Sequence, residues 1–162
     1  MKTVLPSILA VGLYGAGLAA AATSTANFNV QLTIVSECVI NSATDLDFGT
    51  RGVLAANVDA TSTITVQCTS GTPYTLGLSL GSGPGASAAL RYMTGPSAQT
   101  VGYSLYQDAS HSLVWGPSVG VNTIAGTGNG AAQARTVYGR IAPQTTPGAG
   151  AYADVITATV TY

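Results

Sequence analysis

The sequence predicts an all-β, antiparallel sandwich of the immunoglobulin type. Apolar residues alternate with polar ones over short segments rich in Thr, Val, Ile and Tyr, which is typical of half-buried strands. Runs of Gly, Pro and Ser separate these segments, as turns do. No segment combines the apolar spacing and the capping residues of an amphipathic helix. About seven short strands of this kind in one domain favour a sandwich.

The alternating segments give the predicted strands in chain order. They are residues 27–35, 63–68, 74–80, 101–106 and 152–162. The predicted turns between and beside them are residues 81–85, 95–96, 116–117, 126–130 and 147–150.

The composition excludes several classes of protein. The chain has 162 residues, 46% of them apolar and only 7% charged, with a net charge of −1. A nucleic-acid-binding protein would need a basic surface, which five Lys and Arg residues cannot form. A disordered chain would have more charge and less apolar content. The length suits a single domain.

The first 22 residues resemble a secretory signal peptide. Lys2 provides a positive start, residues 5–18 are largely apolar, and three small Ala residues precede Thr23 at the expected cleavage site. The alternative is a membrane anchor, but the apolar run is only marginally long enough and no basic residues follow it. We therefore expect export of the chain and removal of residues 1–22.

The two cysteines, Cys38 and Cys68, are compatible with export. An even number of cysteines in an exported chain is most simply explained by one disulfide. It would close a loop of about 30 residues and contribute roughly 3–4 kcal/mol on the loop-entropy model. A zinc site is a poor alternative because His111 is the single histidine and no ligand spacing is present.

No pattern in the sequence indicates catalysis or cofactor binding. The glycine runs at 81–86 and 126–131 match a dinucleotide-binding pattern, but neither lies in a strand–helix unit. His111 lies near Asp108 and Ser112, a stretch that we interpret as a polar hairpin tip rather than a catalytic triad. Asp45 and Asp47 supply too few oxygens for a calcium loop. We expect no enzymatic activity, no cofactor and no metal.

The segment 27–35 has two interpretations. Phe28, Val30, Leu32 and Ile34 form one face of an extended segment that runs directly into Cys38. It could be the first strand of the chain's own sheet, or a strand given to the sheet edge of another molecule. Periodicity alone favours the ordinary first strand.

A set of short motifs in a fixed order resembles the spore coat protein U domain family and, within it, the pilin subunits of archaic chaperone–usher pili. After Cys38 the motifs are LDFG at 46–49, ITVQC at 64–68, YSLYQD at 103–108, VYGRI at 137–141, GAYAD at 150–154 and TVTY at 159–162. Each motif is weak alone, but together they extend over the predicted mature chain.

The resemblance implies an incomplete immunoglobulin-like antiparallel sandwich that a donated strand completes. In this family a periplasmic chaperone first fills the gap, and at the outer-membrane usher the N-terminal segment of the next subunit replaces it. The resemblance therefore favours the donor interpretation of Phe28, Val30, Leu32 and Ile34. It divides the chain into a signal peptide (1–22), a donor segment (23–36) and a pilin domain (37–162).

The resemblance also assigns roles to other residues. The family disulfide corresponds to Cys38 and Cys68. The final strand, residues 154–162, would border the acceptor groove, and the carboxylate of Tyr162 would anchor basic chaperone residues. The expected acceptor residues are Ile156, Ala158, Val160 and Tyr162.

The implied function is that of a shaft or minor subunit in a linear homopolymer, an extracellular surface pilus that supports adhesion and biofilm formation. The alternative is a self-contained secreted β-sandwich, a surface or coat protein that binds glycan or protein. No nucleic-acid partner is expected from either.

Overall fold

A computed structural model describes residues 20–162, and its regular elements are strands apart from one short 3-10 turn at Pro96–Ala98. The predicted all-β class is confirmed, with eight strands in the described residues instead of about seven. Most of the expected signal peptide lies outside the described residues. The strands are β1 (Cys38–Ala43), β2 (Val58–Cys68), β3 (Pro73–Leu78), β4 (Arg91–Thr94), β5 (Thr100–Tyr106), β6 (Ile124–Thr127), β7 (Ala132–Ile141) and β8 (Ala158–Thr161).

The strands form two antiparallel sheets. The larger sheet has the order β1-β2-β7-β5-β4, and the smaller has the order β6-β3-β8. Every strand pair is antiparallel. The polypeptide divides into two units, Met1–Thr33 and Ile34–Tyr162, and both sheets belong to the second.

Three of the predicted strands are confirmed almost as expected, since 63–68, 74–80 and 101–106 fall largely within β2, β3 and β5. The segment 152–162 is a strand only from Ala158 to Thr161, although its even-numbered side chains are half-buried from residue 152 to residue 160. Residues 27–35 form no strand. The turn predicted at 126–130 starts two residues later because Gly126 and Thr127 belong to β6.

The core lies between the two sheets and is closed at one side by a tryptophan. Trp115, in the loop between β5 and β6, is fully buried together with Val66 and Leu76. Its indole N–H donates to the carbonyl of Leu76 at 2.9 Å, which satisfies the polar atom of an otherwise apolar side chain.

An arginine is buried beside this tryptophan. Arg91 has no exposed surface, and its guanidinium donates to the carbonyls of Ser79, Ala88 and Trp115 at 3.0, 3.1 and 2.7 Å. Burial lowers the pKa of Arg91 from its ordinary value, because a low-dielectric surrounding disfavours the charged form. No buried side-chain nitrogen or oxygen within residues 20–162 lacks a hydrogen-bond partner.

The predicted disulfide is present and joins the start of β1 to the end of β2. Cys38 and Cys68 are directly opposite each other in the sheet register. The next residue, Thr69, holds the chain before β1: its hydroxyl donates to the carbonyl of Val35 at 3.0 Å and accepts from the Glu37 N–H at 3.2 Å. The Thr69 N–H also donates to the Glu37 carbonyl at 2.9 Å. Residues 35–37 are therefore fixed to the end of β2.

Candidate functional site

The strand β8 has one edge that pairs with β3 and one edge that no strand of the described chain covers. The Ser79 N–H donates to the carbonyl of Thr157 at 2.9 Å, which directs the odd-numbered backbone groups of this segment towards β3. Since successive residues of a strand point their backbone groups to opposite sides, those of Ala158 and Val160 face the uncovered edge. An unpaired edge of this kind is a template for an incoming strand.

A groove opens between the end of β1 and the segment that leads into β8. We call it the β8 groove; its volume is about 440 Å³. Its floor is apolar and is contributed by both sheets, because Ile64, Leu78 and Leu105 all line it and are otherwise buried. The floor of the groove is thus part of the core.

The opening continues on the N-terminal side of β8, along the segment that leads into this strand. A second cavity of about 800 Å³ lies under the loops at 46–54 and 146–152. It shares Leu46, Phe48 and Met93 with the β8 groove. The apolar interior is therefore open along an extended path and not at a single point.

The predicted acceptor residues fall on one face of the last segment. Ile156, Ala158 and Val160 are half-buried and pack against the core, and the first two line the β8 groove. Tyr162 is 60% exposed and borders a separate shallow pocket with Val119. The structure therefore brings Ile156 and Ala158 to the groove and leaves Tyr162 outside it.

One carboxylate lies within the groove. Asp154 accepts hydrogen bonds from the Tyr103 hydroxyl at 2.7 Å and from both the N–H and the hydroxyl of Ser82 at 2.8 Å. Burial alone would raise the pKa of Asp154, but these bonds and one from the Val155 N–H hold it below its ordinary value. Burial, and then the bond to Asp154, raise the pKa of Tyr103. These contacts fix the segment that leads into β8.

Sequence reasoning missed the groove floor and the Asp154 contacts. Phe48, Leu78 and Tyr103 lie on three different parts of the chain, and only the topology brings them together. Asp154 did appear in a recognised motif, but its partners are distant in sequence, so no local pattern indicated them.

The predicted donor side chains are all exposed. Phe28, Val30 and Leu32 are 84–86% exposed and Ile34 is 75% exposed. Large apolar side chains repeated on one face of an extended segment mark an interaction surface more often than a solvated one.

The stretch around His111 shows the contacts of a polar turn. Asp108 accepts hydrogen bonds from Ser110, Ser112 and the Leu113 N–H, and the bond from Ser110 is the main reason that its pKa is lowered. His111 instead lies 3.7 Å from a carboxylate oxygen of Asp59. The histidine ring packs edge-on against Tyr106 and Tyr138. The interpretation as a hairpin tip fits these contacts.

Residues 20–162 hold no cluster of three or more metal-ligating side chains. They also contain no helix that is long and apolar enough to cross a membrane.

Comparison with solved structures gives the fold class to which this sandwich belongs. It is similar to a chain in the CsuC–CsuE chaperone–tip adhesion subunit pre-assembly complex from archaic chaperone–usher Csu pili of Acinetobacter baumannii. The TM-score is 0.58 at 21% sequence identity, over 80% of this chain and 41% of that chain. The fold is thus an immunoglobulin-like antiparallel sandwich, and the chain spans less than half of that solved relative.

Sequence comparison then gives the family. Residues 24–159 match the Spore Coat Protein U domain. "Protein U" of Myxococcus xanthus is 30% identical over 177 aligned residues, which cover 100% of this chain and 98% of that protein. The chain belongs to the Spore Coat Protein U domain family.

Proposed function

We propose that the chain is a non-enzymatic structural subunit of an extracellular pilus, in which each copy donates residues 27–35 to the β8 groove of an adjoining copy. One observation carries the proposal. The sandwich has a groove with an apolar floor beside a strand edge that no strand of residues 20–162 covers. The same chain exposes an alternating apolar segment, which is the kind of strand that such an edge binds.

The energies involved are large enough to drive assembly. Burying Phe28, Val30, Leu32 and Ile34 would contribute about 1.5–3 kcal/mol each, or roughly 6–12 kcal/mol together before the entropy of ordering. Each backbone hydrogen bond to β8 would add about 0.5–1.5 kcal/mol. A whole domain is stable by only about 5–15 kcal/mol. The free energy gained by strand donation is therefore comparable to the net free energy of folding of a domain.

The arrangement favours an open fibre. Each copy carries one donor segment and one groove, so that a contact between two copies leaves a free donor at one end and a free groove at the other. A head-to-tail contact that does not close on itself gives a linear polymer.

The proposed route requires export and two assembly partners. We expect the signal peptide to direct the chain to the periplasm, a chaperone to cover the β8 groove there, and an outer-membrane usher to replace the chaperone with the next donor segment. The similarity to a chaperone–subunit complex supports this route. The carboxylate of Tyr162 is the proposed anchor for basic chaperone residues, and adhesion and biofilm formation are the proposed roles of the assembled pilus.

A fusion experiment tests the proposal. A copy of residues 27–36, joined by a flexible linker after Tyr162, should fill the groove of the same molecule and raise the melting temperature of the mature chain sharply. The matched control carries Leu32→Asp in the added copy, since a charge would have to enter an apolar groove. Equal melting temperatures for the fused and unfused chains would defeat the proposal. Leu32→Asp in the native segment should likewise abolish fibres while leaving the chaperone-bound subunit folded.

A second candidate is a self-contained secreted coat protein that binds glycan or protein. The full-length similarity to Protein U and the name of the domain family favour it. This candidate predicts that the mature chain is a stable monomer and that the fused segment adds nothing to its melting temperature. The fusion experiment therefore separates the two candidates.

A further inference from the structure

We propose that the donor segment docks on β8 in one register, antiparallel, with Leu32 of one copy directly opposite Ala158 of the next. This inference rests on the proposed strand donation and adds to it the pairing of individual residues. Two independent matches, one on each face of the donated strand, select this register.

The first match is on the even-numbered face of the last segment, of which Ile156 and Ala158 line the groove while Val160 and Tyr162 lie beyond it. Residues directly opposite each other in an antiparallel pair lie on the same face of the sheet. In the proposed register every apolar donor residue meets an apolar residue of the last segment, and the polar Ser36 meets Asp154. The pairs are Phe28 with Tyr162, Val30 with Val160, Leu32 with Ala158, Ile34 with Ile156, and Ser36 with Asp154.

The second match is on the outer face, which is otherwise polar. The donor segment carries one apolar outer residue, Val35, which is 66% exposed, and the acceptor segment carries Val155, which is 75% exposed. The same register places these two valines opposite each other. The remaining outer pairs are polar: Asn29 with Thr161, Gln31 with Thr159, and Thr33 with Thr157.

Neighbouring registers fail on both faces. A shift of two residues in one direction sets Ile34 against the carboxylate of Asp154 and separates the two valines. A shift of two in the other direction sets Ser36 against Ile156 and places Val35 opposite Thr157. A shift of one residue turns the whole apolar face of the donor towards solvent.

The backbone of β8 also suits this pairing. Because the N–H and C=O groups of Ala158 and Val160 face the uncovered edge, their pairs with Leu32 and Val30 would be the hydrogen-bonded ones. The outer pairs would then be non-hydrogen-bonded, where opposite Cα atoms are about 4.5 Å apart. This separation allows a disulfide. Cys38 and Cys68 already form a disulfide between directly opposite residues of this chain.

Disulfide trapping in assembled fibres tests the register. The variant Gln31→Cys with Thr159→Cys changes two exposed side chains of the outer face. In a fibre, the cysteine at position 31 of each copy would then lie opposite the cysteine at position 159 of the adjoining copy. We expect a ladder of covalent oligomers on a non-reducing gel. The matched controls pair Gln31→Cys with Thr157→Cys or with Thr161→Cys. Their ladders should be at least about tenfold weaker, because diagonal neighbours lie about 7–8 Å apart.

A second test exchanges the large and the small side chain of the pair formed by Leu32 and Ala158. Ala158→Leu should clash with Leu32 of the neighbouring copy and reduce fibre yield, and adding Leu32→Ala should restore much of it. Adding Val30→Ala instead should restore none. Restoration by Val30→Ala and not by Leu32→Ala would overturn the register.

The outcomes separate this inference from the proposed function. A strong ladder from either control pair, with a weak one from Gln31→Cys and Thr159→Cys, would leave strand donation intact and overturn the register. Strand donation itself would be overturned if the wild-type chain formed no fibres and none of the cysteine variants gave covalent oligomers.

Discussion

The loop that carries Trp115 and the segment that leads into β8 pack against the same core, but they leave it in opposite states. Around Trp115 the core is closed: the indole is fully buried, Arg91 beneath it is bonded to three carbonyls, and both side chains have their polar atoms satisfied. Along β8 the core instead borders the β8 groove, which core residues of both sheets line.

This difference indicates that the gap is local. A sandwich that was loosely packed throughout would leave buried polar side-chain atoms unpaired at several places, whereas none is found within residues 20–162. The described chain is therefore a well-packed sandwich whose groove is confined to the neighbourhood of β8 and the segment that leads into it. The following predictions test that contrast, from the largest expected effect to the smallest.

Trp115→Ala removes the closure of the core. We expect a loss of about 3–5 kcal/mol in the free energy of unfolding, because a large buried side chain leaves a cavity. The loss should be the same with and without a donor strand fused after Tyr162, since the tryptophan does not line the β8 groove. Chemical denaturation measures it, with Val119→Ala in the same loop as the near-neutral control. A loss below about 1 kcal/mol would contradict the conclusion that Trp115 closes the core.

The double change Cys38→Ser with Cys68→Ser releases the start of β1 from β2. The free energy of unfolding should fall by about 2–4 kcal/mol, chiefly because the unfolded chain becomes less constrained. Denaturation of the variant, compared with the oxidised wild type, measures the loss. The wild type unfolded and refolded under reducing conditions should match the variant. A variant as stable as the oxidised wild type would show that the disulfide does not hold this edge strand.

Ile156→Ala tests the open side. In the isolated chain Ile156 is half-buried, so its truncation should lower the free energy of unfolding by only about 1 kcal/mol. In the donor-fused chain the added strand should cover Ile156. The same truncation should then cost about 2–4 kcal/mol, as for a side chain in a closed core. The difference between the two backgrounds is the quantity to measure by denaturation. Val53→Ala, at an exposed site, is the control. Equal losses in both backgrounds would mean that the fused strand does not cover Ile156.

Asp154 should account for part of the loss of folding stability at low pH. Its pKa is lowered in the fold from the ordinary value of 3.8, so that its contribution to stability is complete above that pH and is lost as the pH falls through the lower, folded value. Melting temperatures measured across the acid range should therefore drop less for Asp154→Asn than for the wild type. Asp45→Asn, a change at the rim of the same groove, is the matched control. An identical profile for Asp154→Asn and the wild type would refute this assignment.

Part of the fold was predictable because its signal is local. β2, β3 and β5 alternate visibly in the sequence, since their buried positions hold large apolar residues such as Ile64, Leu76 and Leu105. β7 does not, although it is long. One of its buried positions is Gly139, where an added Cβ would lie 2.8 Å from the Leu46 side chain. A glycine that makes room for a neighbour removes the apolar signal from its own strand.

Some residues of the candidate site could also be predicted from the sequence, and others could not. The donor face and the even-numbered residues of 156–162 follow from alternation and from the family resemblance, and their roles stay predictions. The buried Arg91 was not predictable, because its partners are backbone carbonyls, which any sequence supplies. The short strands β4 and β6 contain too few residues to show a period and form through pairing with β5 and β3.

The attachment of residues 35–37 has a mechanical consequence. In a fibre built as proposed, tension along the axis would reach each subunit at the residues that Thr69 holds, and one residue later the Cys38–Cys68 bond would pass it covalently to β2. The edge strand β1 would then be bypassed and could not be peeled from the sheet. The pull would act along the donated strand, so that its hydrogen bonds to β8 would have to shear together instead of parting one by one.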